Sequence, residues 1–375
     1  MQPKRNKSSR GFTLMEAVLA MGLGVLVVAT AGQLYSNAVN ATQIATQRAE
    51  MQQDLRAATD MMVKDISMAG TGLTGEPGGV GLVSGGSAVN PVYGCDQAQC
   101  YLPVSTHAGV TLPINPTPYL YWIIPGNGLG AQVFSGQGNT DAITVVYADM
   151  YFELQCYGVS FSSNTQAKFT LLTTPGCASP PLPVPVQYVS DNAWGLKTGD
   201  LVLFTNSSGG MAVGEVTANA VDTGNHTVFT ASFTASDKLQ LNQPATNVSG
   251  SLQQMLTGSG TQAVRLLMIT YYIDTRTGVP TLMRQVNGQT PVALADNIID
   301  LRITYDAYDS NGNLTPAQSA PPVASINTIR KVNIAHLTAR SELPGTKSTN
   351  GYQSLDSSTS VSLRNMSFQN RYAVN

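Results

Sequence analysis

Residues 4–16 read Lys4-Arg5-Asn6-Lys7-Ser8-Ser9-Arg10-Gly11-Phe12-Thr13-Leu14-Met15-Glu16. Four basic side chains precede a Gly-Phe junction, and the long apolar run that follows carries one carboxylate, Glu16, close to its start. A carboxylate inside a membrane segment is costly and by default marks function. Cleavage between Gly11 and Phe12 would place the new α-ammonium one helical turn from Glu16, which predicts that the two charges neutralise each other.

The apolar run predicts a membrane-spanning helix. No charged residue occurs from Ala17 to Gly32, and residues 12–35 would form about 36 Å of helix, enough to cross a hydrocarbon core. All four charges of residues 1–11 lie on the N-terminal side of this helix. The positive-inside rule therefore places that basic leader in the cytoplasm and the body of the chain outside.

The junction resembles a known processing site. Residues 11–16, Gly-Phe-Thr-Leu-Met-Glu, are similar to the cleavage site of type IV prepilins and of the pseudopilins of type II secretion. The resemblance implies that a prepilin peptidase cuts between Gly11 and Phe12 and methylates the new N-terminus, and that Glu16 acts in filament assembly. A bulky side chain at position 11 is then expected to block cleavage, because the protease must approach the scissile bond closely.

Two other interpretations of this segment stay open. Ala29-Thr30-Ala31 fits the A-x-A cleavage pattern of a secretory signal peptide, although Glu16 interrupts the apolar core and the stretch is long for a signal. The other is a plain single-span anchor in which Glu16 has no role, at the cost of an unpaired carboxylate in lipid.

The helical pattern continues through residues 36–69. Apolar residues recur there at every third or fourth position and form one stripe: Met51, Leu55, Ala58, Met62, Ile66 and Ala69. We expect this stripe to cover a sheet and the charged side chains, Asp65 included, to lie mostly elsewhere. No proline occurs between Pro3 and Pro77, so the helix should run unbroken until Gly70 and Gly72 end it.

Residues 70–375 form the predicted extracytoplasmic domain. After a glycine-rich start, turn residues alternate with runs rich in Val, Ile, Thr, Tyr and Phe, which is typical of antiparallel strands. Ten strands are predicted: Ala142–Tyr147, Met150–Cys156, Leu201–Thr205, Met211–Val216, Val228–Phe233, Val264–Ile273, Thr281–Val286, Ile298–Tyr305, Lys331–Thr338 and Val361–Met366. Residues 247–262, rich in Ser and Gly, are a candidate boundary between two lobes. The predicted fold class is α+β and pilin-like, with the long helix packed on an antiparallel sheet.

Composition and cysteine usage fit an exported domain. Charged residues make up 11% of the chain, against roughly 25% in ordinary soluble domains, and the net charge of −2 would become −6 without the leader. Beyond the leader no cluster of Lys and Arg occurs in the sequence, so we expect no nucleic-acid partner. An even number of cysteines favours disulfides, and of the three pairings we favour Cys95–Cys100 and Cys156–Cys177 because each closes a local loop. A zinc site is disfavoured because no C-x-x-C pair occurs and no histidine is near.

Metal and catalytic motifs are weak. Asp306, Asp309, Asn311 and Asn313 resemble the oxygen ligands of a calcium loop, but the glycine is misplaced, the closing Glu is missing, and Asn311-Gly312 is first of all a turn signal. His107, His226 and His336 are isolated, and His336 is expected to be a core or edge residue of a strand. The chain has no nucleophile elbow, H-E-x-x-H pair or phosphate-binding loop, so we expect neither an enzyme nor a cofactor.

Several distal strings resemble minor pilins of the PilW type and, in part, the J-type pseudopilins of type II secretion. These strings are Asp65–Gly70, Ile269–Ile273, Gly278–Arg284, Asp296–Asp306 and Val361–Asn365. The resemblance implies a type IV pilus minor pilin that acts in assembly initiation or a tip complex. It would be a single-pass protein of the inner membrane, with its body in the periplasm before assembly and in the pilus at the cell surface afterwards.

The partners implied by the resemblance are other minor and major pilins, the prepilin peptidase, the inner-membrane assembly platform and a tip adhesin. Two alternatives remain: a minor pseudopilin of a type II secretion system, and a binding module in which the β-rich domain itself acts as a pilus-associated adhesin.

Overall fold

The computed structural model describes residues 12–73, 79–81, 83–84, 87–88, 92–102, 119–163, 165–172, 188–242, 252, 260–308, 312–321, 323–342, 351–363 and 366. Within these residues the chain forms one long α-helix followed by antiparallel sheets, which confirms the α+β class. The chain divides into two compact units. Residues 1–52 and 341–353 form the first unit, and residues 53–340 and 354–375 form the second.

Helix α1 runs from Leu14 to Ser67 without a break. The N–H groups of Met68 and Ala69 donate to the carbonyls of Asp65 and Ile66, both at 3.1 Å, so the last turn tightens to i→i−3 bonds. Gly70 then adopts a φ of +74°, which reverses the chain at little cost because glycine has no Cβ. The helix therefore ends two residues before the predicted position, and the predicted glycine stop is confirmed.

The strands in chain order are β1 (Gly79–Gly81), β2 (Val83–Ser84), β3 (Ser87–Ala88), β4 (Tyr119–Tyr121), β5 (Ile123–Gly126), β6 (Ala142–Ala148), β7 (Tyr157–Ser163), β8 (Gln166–Leu171), β9 (Leu201–Thr205), β10 (Met211–Glu215), β11 (Ala218–Asp222), β12 (Val228–Ser232), β13 (Gln262–Asp274), β14 (Thr281–Val286), β15 (Val292–Asp296), β16 (Ile298–Tyr308), β17 (Leu314–Gln318), β18 (Ile329–Glu342) and β19 (Tyr352–Ser362). The described residues also contain short 3₁₀ helices at Leu154–Cys156 and Val323–Thr328.

The central sheet of the second unit has seven strands and is built around β13. Strand β6 pairs with residues 266–271 on one edge of β13, and β14 and β9 pair with residues 269–274 and 262–266 on the other edge. Strands β5, β10 and β15 then extend the sheet outward from β6, β9 and β14. Two four-stranded sheets have the orders β11-β12-β8-β7 and β17-β16-β18-β19, and β1 pairs with β4 and β2 with β3.

The central strands are buried on both faces. Every residue of β6 is buried, and so are Met268–Asp274 of β13. The predicted helix stripe is buried, because Leu55, Ala58, Met62, Ile66 and Ala69 are all at most 4% exposed. Just after the helix the chain reaches the central sheet, where the Gly70 N–H donates to the carbonyl of Val146 in β6 at 2.9 Å. Met51, the first residue of the stripe, is buried as well.

A second hydrophobic cluster packs the sheet that contains β8 and β12 against β9. Its largest members are aromatic, and the rings of Phe204 and Phe233 meet edge to face with centroids 5.3 Å apart. Phe161 packs on Phe204 in the same way at 4.9 Å. Such edge-to-face pairs add to the stabilisation that burial alone provides.

Eight of the ten predicted strands are present, with ends displaced by up to four residues. The predicted strand Met150–Cys156 is wrong: the chain turns there, with the Tyr151 N–H bonded to Asp149 at 3.0 Å, and enters a 3₁₀ helix. The predicted last strand, Val361–Met366, is displaced, because the observed strand is Tyr352–Ser362. Most of the predicted lobe boundary, 247–262, lies outside the described residues.

Candidate functional site in the N-terminal helix

The start of α1 is capped by a reciprocal pair of side chains. The backbone N–H and the Oγ1 hydroxyl of Thr13 donate to Glu16 Oε2 at 3.1 and 3.0 Å, and the Glu16 N–H donates to Thr13 Oγ1 at 3.3 Å. This arrangement is a capping box, in which each side chain satisfies a backbone N–H that has no partner within the helix. The Thr-x-x-Glu spacing is the sequence signal of a capping box, and the charge of Glu16 alone does not indicate it.

Phe12 and Glu16 both lie at an exposed helix start, and Gly11 lies outside the described residues. Cleavage before Phe12 would leave Thr13 and Glu16 in place, so the capping box is compatible with the processed N-terminus. The carboxylate of Glu16 has one oxygen, Oε2, occupied by Thr13. The Thr13 donors are neutral, so this carboxylate can still pair with a cation.

The N-terminal part of α1 exposes an apolar surface all round. Thirteen large apolar side chains from Phe12 to Tyr35 are between 56% and 86% exposed. A helix that is apolar on every side needs an apolar environment. Of the described helices, α1 is long and apolar enough to cross a membrane, which is compatible with a single-pass membrane protein, although a secretory signal has the same properties. The helix continues through Ala29-Thr30-Ala31 to Ser67.

The other end of α1 is held by a buried polar network. Asp65, 2% exposed, accepts hydrogen bonds from Tyr147 Oη at 2.9 Å, from Tyr271 Oη at 2.5 Å and from Arg284 Nε at 2.7 Å. These three partners belong to β6, β13 and β14, the adjacent central strands of the sheet. One carboxylate therefore joins the helix to three strands.

The expectation that Asp65 lies away from the apolar stripe is wrong. Asp65 follows Ala58 by seven positions and Met62 by three, which puts it on the buried face of the helix. Burial and the Asp65 charge raise the pKa of both tyrosine hydroxyls well above the usual value, so they remain donors. The pKa of Arg284 is also raised, because the hydrogen bond and charge of Asp65 outweigh burial, which lowers it. The hydrogen bonds between Asp65 and its three partners are thus satisfied in the buried site.

The disulfide prediction is confirmed at one of its two places. Cys95 and Cys100 form a disulfide that closes a short loop. Cys156 is also disulfide-bonded, and Cys177, the partner predicted for it, lies outside the described residues.

The calcium candidates are only partly described. Asp309 and Asn311 lie outside the described residues. Asp306 is already engaged in its own sheet, because its Oδ1 accepts from Asn333 Nδ2 and from the Ala317 N–H, both at 2.9 Å. Among the described residues, no three His, Cys, Asp or Glu side chains are grouped so that they could hold a metal ion.

Two of the isolated histidines are described, and both lie at the surface. His336 Nδ1 is 2.8 Å from Asp356 Oδ2, and its side chain is exposed. The expectation of a core or edge residue is therefore wrong, because β18 lies between β16 and β19 and His336 is on its solvent-facing side. His226 Nδ1 is 2.8 Å from Asp222 Oδ2, and its ring stacks on Tyr188. His107 lies outside the described residues.

No family model, curated protein or solved structure matches the chain. The functional interpretation therefore depends on the residues themselves.

Proposed function

We propose that this chain is a prepilin-like filament subunit, cleaved between Gly11 and Phe12 and assembled as a minor pilin of the PilW type into a type IV pilus. The observation that carries the proposal is the position of Glu16. It is the one acidic residue between Phe12 and Ala49, and it stands in the first turn of α1. The helix carries no other charged residue before Arg48.

The geometry of the helix supports a subunit that is anchored at one end and folded at the other. The apolar half of α1 offers its surface to lipid or to the same segment of neighbouring subunits. The other half is fixed to a β-rich domain through the buried stripe and Asp65. A chain of this build is retained in the inner membrane before assembly and contributes its apolar helix to the filament core afterwards. Other pilins and the assembly platform would be its partners.

The mature N-terminus tests the proposal. We expect intact-mass and N-terminal analysis of the chain purified from cells to show a polypeptide that begins with N-methylated Phe12. In Gly11→Ile the full leader should remain attached, because a branched side chain next to the scissile bond obstructs the peptidase. Ser9→Ile, a similar change within the leader, should be processed like the parent.

Two results would contradict the proposal. A mature chain that begins at Gly32 would identify the segment as a secretory signal peptide, and Gly11→Ile would not affect that cleavage. A chain that retains its leader in a host with an active prepilin peptidase would identify a plain anchor.

A further inference from the structure

A buried carboxylate at the edge of the central sheet has no role in the proposed function. Glu215 is the last residue of β10 and is fully buried. Its Oε1 accepts from Gln97 Nε2 at 2.6 Å, and its Oε2 accepts from the Leu239 N–H at 2.9 Å. Gln97 lies in the loop closed by the Cys95–Cys100 disulfide, so this loop and the segment around Leu239 meet on one carboxylate.

The same segment covers the backbone of the strand. β10 is a terminal strand of the central sheet and pairs with β9 alone among the described strands of that sheet. The side chain of Asn242 replaces a neighbouring strand, because its Oδ1 accepts from the Glu215 N–H at 2.7 Å and its Nδ2 donates to the Glu215 carbonyl at 2.8 Å. Covering an exposed edge in this way prevents another strand from pairing with it.

Residues 92–102, the disulfide loop with its flanks, are attached to residues 237–242. The Val92 N–H donates to the carbonyl of Leu239 at 2.9 Å. Within the loop, Asp96 Oδ1 accepts from the N–H groups of Ala98 and Gln99, both at 2.8 Å, which fixes the turn that presents Gln97. We call residues 92–102 and 237–242 together the edge cover.

The turn between β14 and β15 closes the site from a further side. A Cβ on Gly288 would lie 2.8 Å from Glu215 Oε1 and 3.0 Å from Gln97 Nε2, so only glycine permits this approach. The carboxylate is therefore enclosed by the edge cover, by its own strand and by this turn. Water cannot solvate its charge without displacing one of them.

Within the part of the chain that the structure describes, the charged groups around Glu215 do not supply a compensating cation. Asp237, in the edge cover, is the charged neighbour that acts on it, and its like charge opposes ionisation of Glu215. Asp237 is itself held by the N–H groups of Leu241 and Asn242. Lys238 has an exposed side chain, Asp96 is bonded to Tyr101, and Asp200, behind the Gly288 turn, is bonded to the Lys197 N–H and Gln289.

We propose that the edge cover is a pH-operated latch, which is closed over β10 while Glu215 carries a proton that its Oε1 donates to the turned amide oxygen of Gln97, and which is released when Glu215 loses that proton to solvent. Release would uncover the backbone N–H and carbonyl of Glu215 at the sheet edge. The disulfide keeps the Gln97 turn in its bound form, so the cover can open and close again as one piece.

The direction of the effect follows from burial. Desolvation raises the pKa of Glu215 from 4.5 to about 7, against the hydrogen bonds from Leu239 and Gln97, which lower it. The closed form thus binds a proton more tightly than an open form with an ordinary carboxyl. Its stability is complete below pH 4.5 and is lost as the pH rises through 7. Between pH 5 and pH 8 the opening equilibrium should increase about seventy-fold.

Hydrogen exchange of the full-length chain in detergent micelles tests the latch. Mass spectrometry at pH 5 to 8, corrected for intrinsic exchange rates, should show that opening increases about seventy-fold in peptides from residues 92–102, 211–216 and 237–242. Peptides from β16, in another sheet, should show no such change. In Glu215→Gln the dependence on pH should disappear and protection should stay high at pH 8, because Gln97 can turn its amide to match.

Glu153→Gln is the matched control, since Glu153 is exposed and outside the edge cover, and it should behave like the parent. The latch is refuted if the parent's edge-cover peptides open to the same extent at pH 5 and pH 8. It is also refuted if Glu215→Gln keeps the dependence on pH. Should Glu215→Gln fail to fold, the comparison of edge-cover and β16 peptides in the parent chain decides alone.

Discussion

Asp65 joins α1 to the sheet through one carboxylate with three donors, and its removal tests how much the helix attachment depends on it. Replacing Asp65 by Ala leaves the half-buried Arg284 without its carboxylate counter-ion and two tyrosine hydroxyls without their acceptor. Breaking a buried ion pair from one side costs about 3–5 kcal/mol. We therefore expect Asp65→Ala to lower the free energy of unfolding by that amount.

The measurement is urea unfolding of the full chain in detergent, followed by the fluorescence of tryptophan, because Trp122 is buried beside Gly70 at the end of the helix. Tyr147→Phe, which removes one donor to a charged acceptor, should cost about 1.5–3 kcal/mol. Asp60→Ala is the control, since Asp60 is exposed on the same helix, and its effect should stay within about 0.5 kcal/mol. Equal effects at Asp60 and Asp65 would show that the network does not hold the helix.

The sequence alone indicates Glu16 as a site residue but not Asp65 or Glu215, for a physical reason. Glu16 is evident because a charge in an apolar run violates the local pattern, and its capping partner Thr13 is only three residues away. The donors to Asp65 are 82, 206 and 219 residues away along the chain. Its spacing from Ala58 and Met62 is compatible with the buried face, but its charge favoured an exposed position and no local pattern indicates its partners. Glu215 could not be found for the same reason, since Gln97 is 118 residues distant.

At the scale of elements, the end of the helix depends on a backbone conformation that only glycine adopts easily. Gly70 and Gly278 both have positive φ, +74° and +85°. A Cβ on Gly70 would lie 3.3 Å from Trp122 Cδ1, whereas a Cβ on Gly278 meets nothing within 4 Å. Gly278→Ala should thus cost only the strain of the left-handed conformation, about 1 kcal/mol.

Gly70→Ala should cost more, about 2 kcal/mol or above, because crowding against Trp122 adds to the same strain. Urea unfolding of both variants measures the difference directly. If the two substitutions cost the same, the contact between the helix end and Trp122 does not constrain the turn.

Strands could be predicted from the sequence where apolar residues dominate. Strand β13 is evident because Ile, Tyr, Met and Leu follow one another through the buried part of the sheet. Strand β19, Tyr-Gln-Ser-Leu-Asp-Ser-Ser-Thr-Ser-Val-Ser, was missed because it is mostly polar and buries little on either face. Its pairing with β18 makes it a strand, and that pairing is long-range. The opposite error occurred at residues 150–156, where the apolar side chains of Tyr151, Phe152 and Leu154 suggested a strand. The chain turns there instead, and Phe152 packs under Arg265.

At the scale of the whole molecule, the two ends of α1 have opposite surroundings. The C-terminal end is buried in a domain with its own core, while the N-terminal half presents apolar side chains that nothing in the described residues covers. Under the proposed function, neighbouring subunits and lipid cover them, and the charge of Glu16 must then find a cation. We propose that the processed α-ammonium of Phe12, in the same or an adjacent subunit, is that cation.

Charge and capping at Glu16 can be separated by two substitutions. Glu16→Gln keeps an oxygen that accepts from the Thr13 N–H, so the helix start remains capped, but it removes the negative charge. Thr13→Ala keeps the charge and removes the hydroxyl, at a cost of about 1 kcal/mol in helix stability.

If an ion pair between subunits aligns the filament, Glu16→Gln should reduce incorporation into sheared filaments by at least about tenfold, since an ion pair worth 1.4 kcal/mol changes an equilibrium by that factor. Thr13→Ala should assemble nearly as the parent does. Quantitative immunoblots of sheared and membrane fractions measure both variants, and normal incorporation of Glu16→Gln would show that the charge is not what draws the subunit out of the bilayer.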